Sequence, residues 1–237
     1  MRKTINIAVL LAGGAGKRLG AGVPKQLLQL SDGRSVLEHA VAAFEDATCI
    51  DAVGIVMHPH CLNEAETMVQ RNGWRKVAFV VTGGNERWES SVNALRTIEQ
   101  AIPATEERQC VNVLMHDAAR PFVSRRIIAD VCHALEQHEA VTVAIPATDT
   151  IYATREHNGR IAVADIPDRA RLMCAQTPQG FRFPVIAEAY RLALQEPHLR
   201  ATDDCGILQR YRPDIPICIV TGETANRKIT YKEDLNI

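Results

Sequence analysis

Short apolar runs rich in β-branched residues alternate along the chain with amphipathic stretches. Ile5–Leu11, Ala52–Met57, Val77–Val81, Val111–Met115, Ala140–Ile145 and Ile215–Val220 read as strands. Several are apolar throughout, which fits strands covered on both faces and so requires helices on both sides of a sheet. The intervening segments supply those helices. Ser35-Val36-Leu37-Glu38 is a capping-box pattern, and Arg87–Gln100 and Ser124–Gln137 carry helical periodicity. Strand and helix in alternation predict an α/β fold with a doubly wound, mostly parallel twisted sheet. One stretch breaks the rhythm. Thr148–Ala153 and Arg160–Ala164 flank Asn158-Gly159, a type I′ turn signal, and predict a protruding β-hairpin arm at about 148–170. With no linker, repeat or low-complexity tract, residues 1–237 read as a single domain with the arm inserted in it. Such an arm is often buried against a second subunit, so a homodimer is expected.

Composition narrows the function classes. A formal charge of −1 argues against a general nucleic-acid coat, and an apolar share of 46% provides a sizeable core. No apolar run approaches the roughly 20 residues that span a bilayer, so no membrane partner is expected. Met1-Arg2-Lys3 leads into a first strand rather than a cleavable leader. Seven scattered cysteines without a Cys-x-x-Cys point to reduced thiols and a cytoplasmic enzyme. His58-Pro59-His60 lacks further ligands nearby and reads as loop, not a metal site.

The candidate chemistry begins after the first strand. Gly13, Gly14 and Gly16 let backbone N–H groups converge on an anion, and Lys17 and Arg18 add cations at the same point. The loop is not a Walker A motif, because Arg18 stands where a Ser or Thr is needed after Lys17. Nor is it a Rossmann fingerprint, because Leu19 stands where the third glycine belongs. Pro24-Lys25-Gln26 follows, with Pro24 stiffening the approach of Lys25, a compact charge suited to phosphate oxygens.

Gly13 to Arg18 with Pro24-Lys25-Gln26 resembles the nucleotide loop of sugar- and polyol-phosphate nucleotidylyltransferases. Further motifs follow in order: Gly83-Gly84-Asn85-Glu86-Arg87 with Ser90, His116 to Pro121, Asp149-Thr150, Gln176-Thr177-Pro178-Gln179, Thr202-Asp203, and Asn226 to Thr230. Together they resemble the 2-C-methyl-D-erythritol 4-phosphate cytidylyltransferase family and its ribitol 5-phosphate relatives, over nearly the entire chain. The resemblance implies a Rossmann-like nucleotidyltransferase fold and the reaction of CTP with a polyol phosphate to give a CDP-polyol and pyrophosphate. A phosphate monoester is already anionic near neutral pH, so such a reaction needs cations and positioning rather than a general base.

The same resemblance assigns the roles. Arg18, Lys25 and Lys228, the last in a strand-like run, would neutralise the triphosphate and the reacting α-phosphorus. Ala12, Gly13, Gly14, Ala15 and Gly16 would cradle CTP, with Gly84, Asn85 and Ser90 reading cytosine and Asp117 and Ala118 nearby. Asp117, Arg120, Thr150, Arg169 and Thr202 would bind the polyol phosphate, with Arg169 serving the neighbouring subunit's site. Magnesium is expected mainly on the CTP phosphates, with Asp117 as its one candidate protein ligand. The methylerythritol substrate, and with it isoprenoid precursor synthesis, is placed first because that branch is more widespread. D-ribitol 5-phosphate for a surface polymer is the alternative, since Tyr152, Cys205 and the Leu11-Ala12-Gly13-Gly14 form of the loop look more like those relatives. Asn85 stands where the family often has Asp.

Overall fold

The computed structural model describes residues 4–14, 24–102 and 105–235. Strand β1 (Ile5–Ala12) leads to α1 (Val36–Glu45), β2 (Ala52–Met57), α2 (Leu62–Asn72), β3 (Val77–Thr82) and α3 (Arg87–Ala101). After the short α4 (Thr105–Arg108) come β4 (Val111–Asp117), α5 (Arg125–Gln137) and β5 (Ala140–Pro146). The hairpin β6 (Ala153–His157) and β7 (Arg160–Asp165) precedes β8 (Met173–Arg182), α6 (Phe183–Ala193), α7 (Asp204–Tyr211) and β9 (Ile217–Thr221). Seven described strands form one sheet in the order β3-β2-β1-β4-β8-β5-β9. The pairings are parallel except those of β8, which runs antiparallel to both β4 and β5.

Side-chain alternation explains why β1 is apolar throughout. Ala8, Leu10 and Ala12 pack with Leu37, Phe44 and Ile127 of α1 and α5, whereas Ile7, Val9 and Leu11 pack with Leu95, Ile186 and Leu208 of α3, α6 and α7. Each face of the strand meets its own helix layer, as a doubly wound sheet requires. The capping box opens α1: Glu38 N–H donates to Ser35 Oγ at 3.1 Å and Ser35 N–H donates to Glu38 Oε2 at 2.8 Å. Ser124 caps α5 by accepting from Ile127 N–H at 3.2 Å. Asn158 and Gly159 turn the hairpin with φ of 51° and 72°.

Three expectations shift. The first arm strand begins at Ala153, because Thr148, Asp149 and Thr150 are exposed and unpaired with β7. The last strand begins at Ile217, just past Pro216, which has no N–H to give a ladder. Strand β8 was not anticipated. Its Gln176-Thr177-Pro178-Gln179 core has no apolar run to mark a strand, yet Gln176, Thr177 and Gln179 are buried and bond to the segment after β9, to Asp117 and to Asp204 respectively.

Candidate active site

Parallel sheets offer ligands the carboxyl ends of their strands, and here the ends of β1, β3 and β4 do so. Gly13 and Gly14 after β1, Gly84 after β3, and Asp117 at the end of β4 line one cleft of about 150 Å³ together with Lys25 and Lys228. Gly13, Gly84 and Asn85 also line a wider neighbouring cleft of about 860 Å³.

Lys228 does not lie in a strand: residues 222–230 are irregular, corrected from the strand-like reading. Tertiary contacts hold the segment instead. Asn226, fully buried, donates from Nδ2 to the Thr177 carbonyl at 2.8 Å, and Ile229 N–H donates to the Ala119 carbonyl at 2.8 Å. Ile229 also packs against Leu30 and Val36. The result brings Lys228 Nζ to Asp117 Oδ2 at 2.6 Å, and Lys25 Nζ to the Ile229 carbonyl at 3.0 Å.

Asp117 is held from two sides, since Arg87 Nε reaches its Oδ1 at 3.1 Å while Lys228 holds Oδ2. It is no helix cap, because Ser124 performs that task for the next helix. Burial alone would raise the Asp117 pKa, but Arg87 and Lys228 outweigh it and keep the carboxyl far below the usual range. Behind it, Arg87 Nη1 reaches Asp204 Oδ2 at 2.6 Å. Asp204, fully buried, also accepts from Tyr190 OH at 2.6 Å and donates its backbone N–H to Gln179 Oε1 at 3.1 Å. Burial disfavours the Arg87 cation, yet Asp204 and Asp117 overcome this and raise its pKa.

A second chain of bonds fixes the backbone of Asp117. Its N–H donates to Thr177 Oγ1 at 3.1 Å, and Thr177 Oγ1 meets His116 Nδ1 at 3.0 Å. His116 Nε2 lies 3.0 Å from the Arg120 carbonyl. These partners assign the neutral tautomer with the proton on Nε2, Thr177 donating to Nδ1. Complete burial pushes the His116 pKa down to about 4.

At the glycine wall, Ser90 is buried rather than facing solvent, and its Oγ accepts from Gly84 N–H at 3.1 Å. A Cβ on Gly83 would sit 2.8 Å from Ser90 Oγ and 3.1 Å from the Gly13 Cα, so only glycine permits this approach. Ala12 and Ala118 are fully buried, and Ala118 N–H donates to the Leu11 carbonyl at 3.2 Å. Ala15, Gly16 and Arg18 lie outside the described residues. Arg120 directs its guanidinium to the carbonyls of Asn226 at 2.7 Å and Ala175 at 3.2 Å. Thr150, Arg169 and Thr202 are not among the residues lining the small cleft. Arg169 donates to the Thr148 carbonyl at 2.9 Å on the stalk of the arm, not to Asp165 or Asp168. Thr202 precedes Asp203, the N-cap of α7.

Among the described residues, no group of three or more His, Cys, Asp or Glu side chains is arranged to hold a metal ion. Both Asp117 oxygens are engaged by cations, so this donor set does not fit a magnesium ion ligated by protein side chains.

The family model described as IspD, 2-C-methyl-D-erythritol 4-phosphate cytidylyltransferase, matches residues 6–237. The chain belongs to this cytidylyltransferase family. A relative from Thermobifida fusca bearing the same name is 45% identical, over 97% of this chain and 90% of its own. A Haemophilus influenzae protein, the bifunctional ribulose 5-phosphate reductase/CDP-ribitol pyrophosphorylase Bcs1, is 34% identical over this whole chain, which spans 48% of it. The solved structure of 2-C-methyl-D-erythritol 4-phosphate cytidylyltransferase from Thermus thermophilus has 29% identity and a TM-score of 0.69, covering 99% of this chain and 96% of that one.

The sequence pattern assigns no role to Arg87, Asp204, Tyr190 or Gln179, which the folded cytidylyltransferase brings together behind Asp117. Arg87 and Gln179 stood inside recognised motifs, and Asp204 followed one directly. Tyr190, in the middle of an amphipathic helix, carried no signal in the sequence.

Proposed function

We propose that the protein transfers a cytidylyl group from CTP to 2-C-methyl-D-erythritol 4-phosphate, giving 4-diphosphocytidyl-2-C-methyl-D-erythritol and pyrophosphate. The observation that carries this reading is the meeting of Lys25 and Lys228 beside Gly13 and Gly14 in one cleft. A polyol phosphate oxygen attacks the α-phosphorus of CTP, the new P–O bond forms as the bond to the β-phosphate oxygen breaks, and pyrophosphate leaves. The attacking oxygen needs no base. The cations offset the repulsion between the two anions and the charge that gathers in the crowded transition state.

Lys25, Lys228 and Arg18 act on the phosphates, while the backbone at Gly84 and Asn85 with Ser90 reads the cytosine edge. Asp117 and Ala118 border the nucleotide, and Arg120, Thr150, Arg169 and Thr202 take the polyol phosphate. Magnesium enters with CTP as the counterion of its phosphates. The arm, whose Ile161 is 84% exposed, docks on a second copy of the chain, so that Arg169 serves the partner's site. The seven cysteines are all free thiols, which supports a cytoplasmic enzyme.

Parallel measurements of pyrophosphate release from CTP with methylerythritol 4-phosphate and ribitol 5-phosphate test the substrate. A kcat/KM at least about tenfold higher for the methylerythritol compound is expected, a gap of about 1.4 kcal/mol. Equal or reversed values overturn that choice, and a preference for UTP over CTP overturns the base reading.

A further inference from the structure

Asp117 and Asp204 belong to different elements, the end of β4 and the start of α7, and one guanidinium spans them. Arg87, the first residue of α3, gives Nε to Asp117 and Nη1 to Asp204. Charges therefore alternate from the cleft inward: Lys228, Asp117, Arg87, Asp204, with the Tyr190 hydroxyl closing the series at 2.6 Å. Arg87 Nη2 is buried with no hydrogen-bond partner among the described residues. A guanidinium that leaves one buried donor unpaired while reaching two carboxylates is placed for geometry rather than for a full set of bonds. A lysine ammonium, a point charge without the fork, does not hold two carboxylates on separate elements in fixed orientation.

We propose that Arg87, anchored by Asp204, is a positioning residue that fixes the Asp117 carboxylate in the cleft and, through it, the resting place of the Lys228 ammonium. This rests on the cytidylyl-transfer reading of the site. Were Asp117 left to turn, Lys228 would follow it away from the position it needs at the phosphorus, and misplacement by about 1 Å costs on the order of 10²-fold in rate. Asp204 serves as the fixed end, since it is fully buried and tied to Tyr190 and to the Gln179 amide oxygen through its N–H.

The test is a double-mutant cycle on CTP-dependent pyrophosphate release, with folding checked by circular dichroism and thermal melting. Arg87→Lys keeps the charge and loses the fork. It is expected to lower kcat by about 10–100-fold while KM for CTP changes less than about threefold. In an Asp117→Asn background the same substitution is expected to change kcat less than about twofold, because the group it acts through is gone. Asp204→Asn, nearly isosteric, is expected to reproduce the kcat loss and serves where an Arg87 variant does not fold. Undiminished kcat in folded Arg87→Lys and Asp204→Asn, or losses that multiply in full with Asp117→Asn, overturns the proposal. A wild-type enzyme that releases no pyrophosphate from CTP overturns the underlying reading instead, and the positioning role with it.

Discussion

Lys25 and Lys228 converge on one short stretch of backbone from opposite ends of the chain. Lys25 Nζ donates to the carbonyl of Ile229, 204 positions further on, at 3.0 Å, and the adjoining Lys228 donates to Asp117 at 2.6 Å. Two ammonium groups lining one small cleft repel each other, and a bound polyanion relieves that repulsion. Lys25→Ala and Lys228→Ala are each expected to lower kcat for pyrophosphate release on the order of 10²–10³-fold. Their melting temperatures should stay close to that of the wild type. Full activity in either variant removes that lysine from the mechanism.

The Gly13–Gly83–Ser90 contact separates two effects at the glycine wall of the cleft. Ser90→Ala leaves Gly84 N–H without its acceptor and is expected to raise KM for CTP by about tenfold, in keeping with the cost of a lost buried partner. Gly83→Ala places a methyl 2.8 Å from Ser90 Oγ and 3.1 Å from the Gly13 Cα, so both the side chain and the backbone of the wall must shift. It is expected to weaken CTP more than Ser90→Ala does. Isothermal titration with CTP compares the two, and equal affinities would show that the wall tolerates the extra carbon.

Protonation of His116 links the site to acid stability. Its folded pKa of about 4 lies below the ordinary 6.5, so between these values the unfolded chain takes up a proton that the folded one refuses. Stability is therefore complete above pH 6.5 and declines as pH falls toward 4, with a slope of at most about 1.4 kcal/mol per pH unit. Glu38, held at about 2 against an ordinary 4.5, keeps its stabilisation above pH 4.5 and loses it only as pH falls from there toward 2, below the pH 5–7 window that isolates His116. Urea unfolding between pH 5 and 7 should show the slope in the wild type and a flatter one in His116→Asn, whatever the variant's absolute stability. Parallel slopes would assign the acid sensitivity elsewhere.

The arm offers a test of assembly. Ile161 and Val163 on β7 are 84% and 50% exposed, and Ile166 just past it 57%, on a two-stranded hairpin that has little core of its own. Ile161→Glu is expected to convert a dimer into a monomer in light scattering after gel filtration, with activity falling as the dimer is lost. A wild-type monomer at micromolar concentration would rule out the arm as a subunit contact.

Local pattern alone determined a good deal of this molecule. Short continuous apolar runs rich in β-branched residues marked most strands of the sheet and period-3.6 hydrophobicity several helices, because burying those faces is what stabilises the elements. Asn158-Gly159 and Ser35–Glu38 specified their own turn and cap, since both act within four residues. Glycines after β1 and a lysine behind Pro24 pointed to residues that line one cleft, Gly13, Gly14 and Lys25. Tertiary structure alone decided the rest. The polar run Gln176–Gln179 became a central antiparallel strand because its side chains find partners on residues far away in sequence, such as Asn226 and Asp203. The partners of Asp117 likewise come from α3 and from the irregular segment after β9. A charge has no periodicity, so nothing along the chain tells an arginine which carboxylates it will join. That is settled only when the packed sheet and helices bring them together and exclude the water that would otherwise keep them apart.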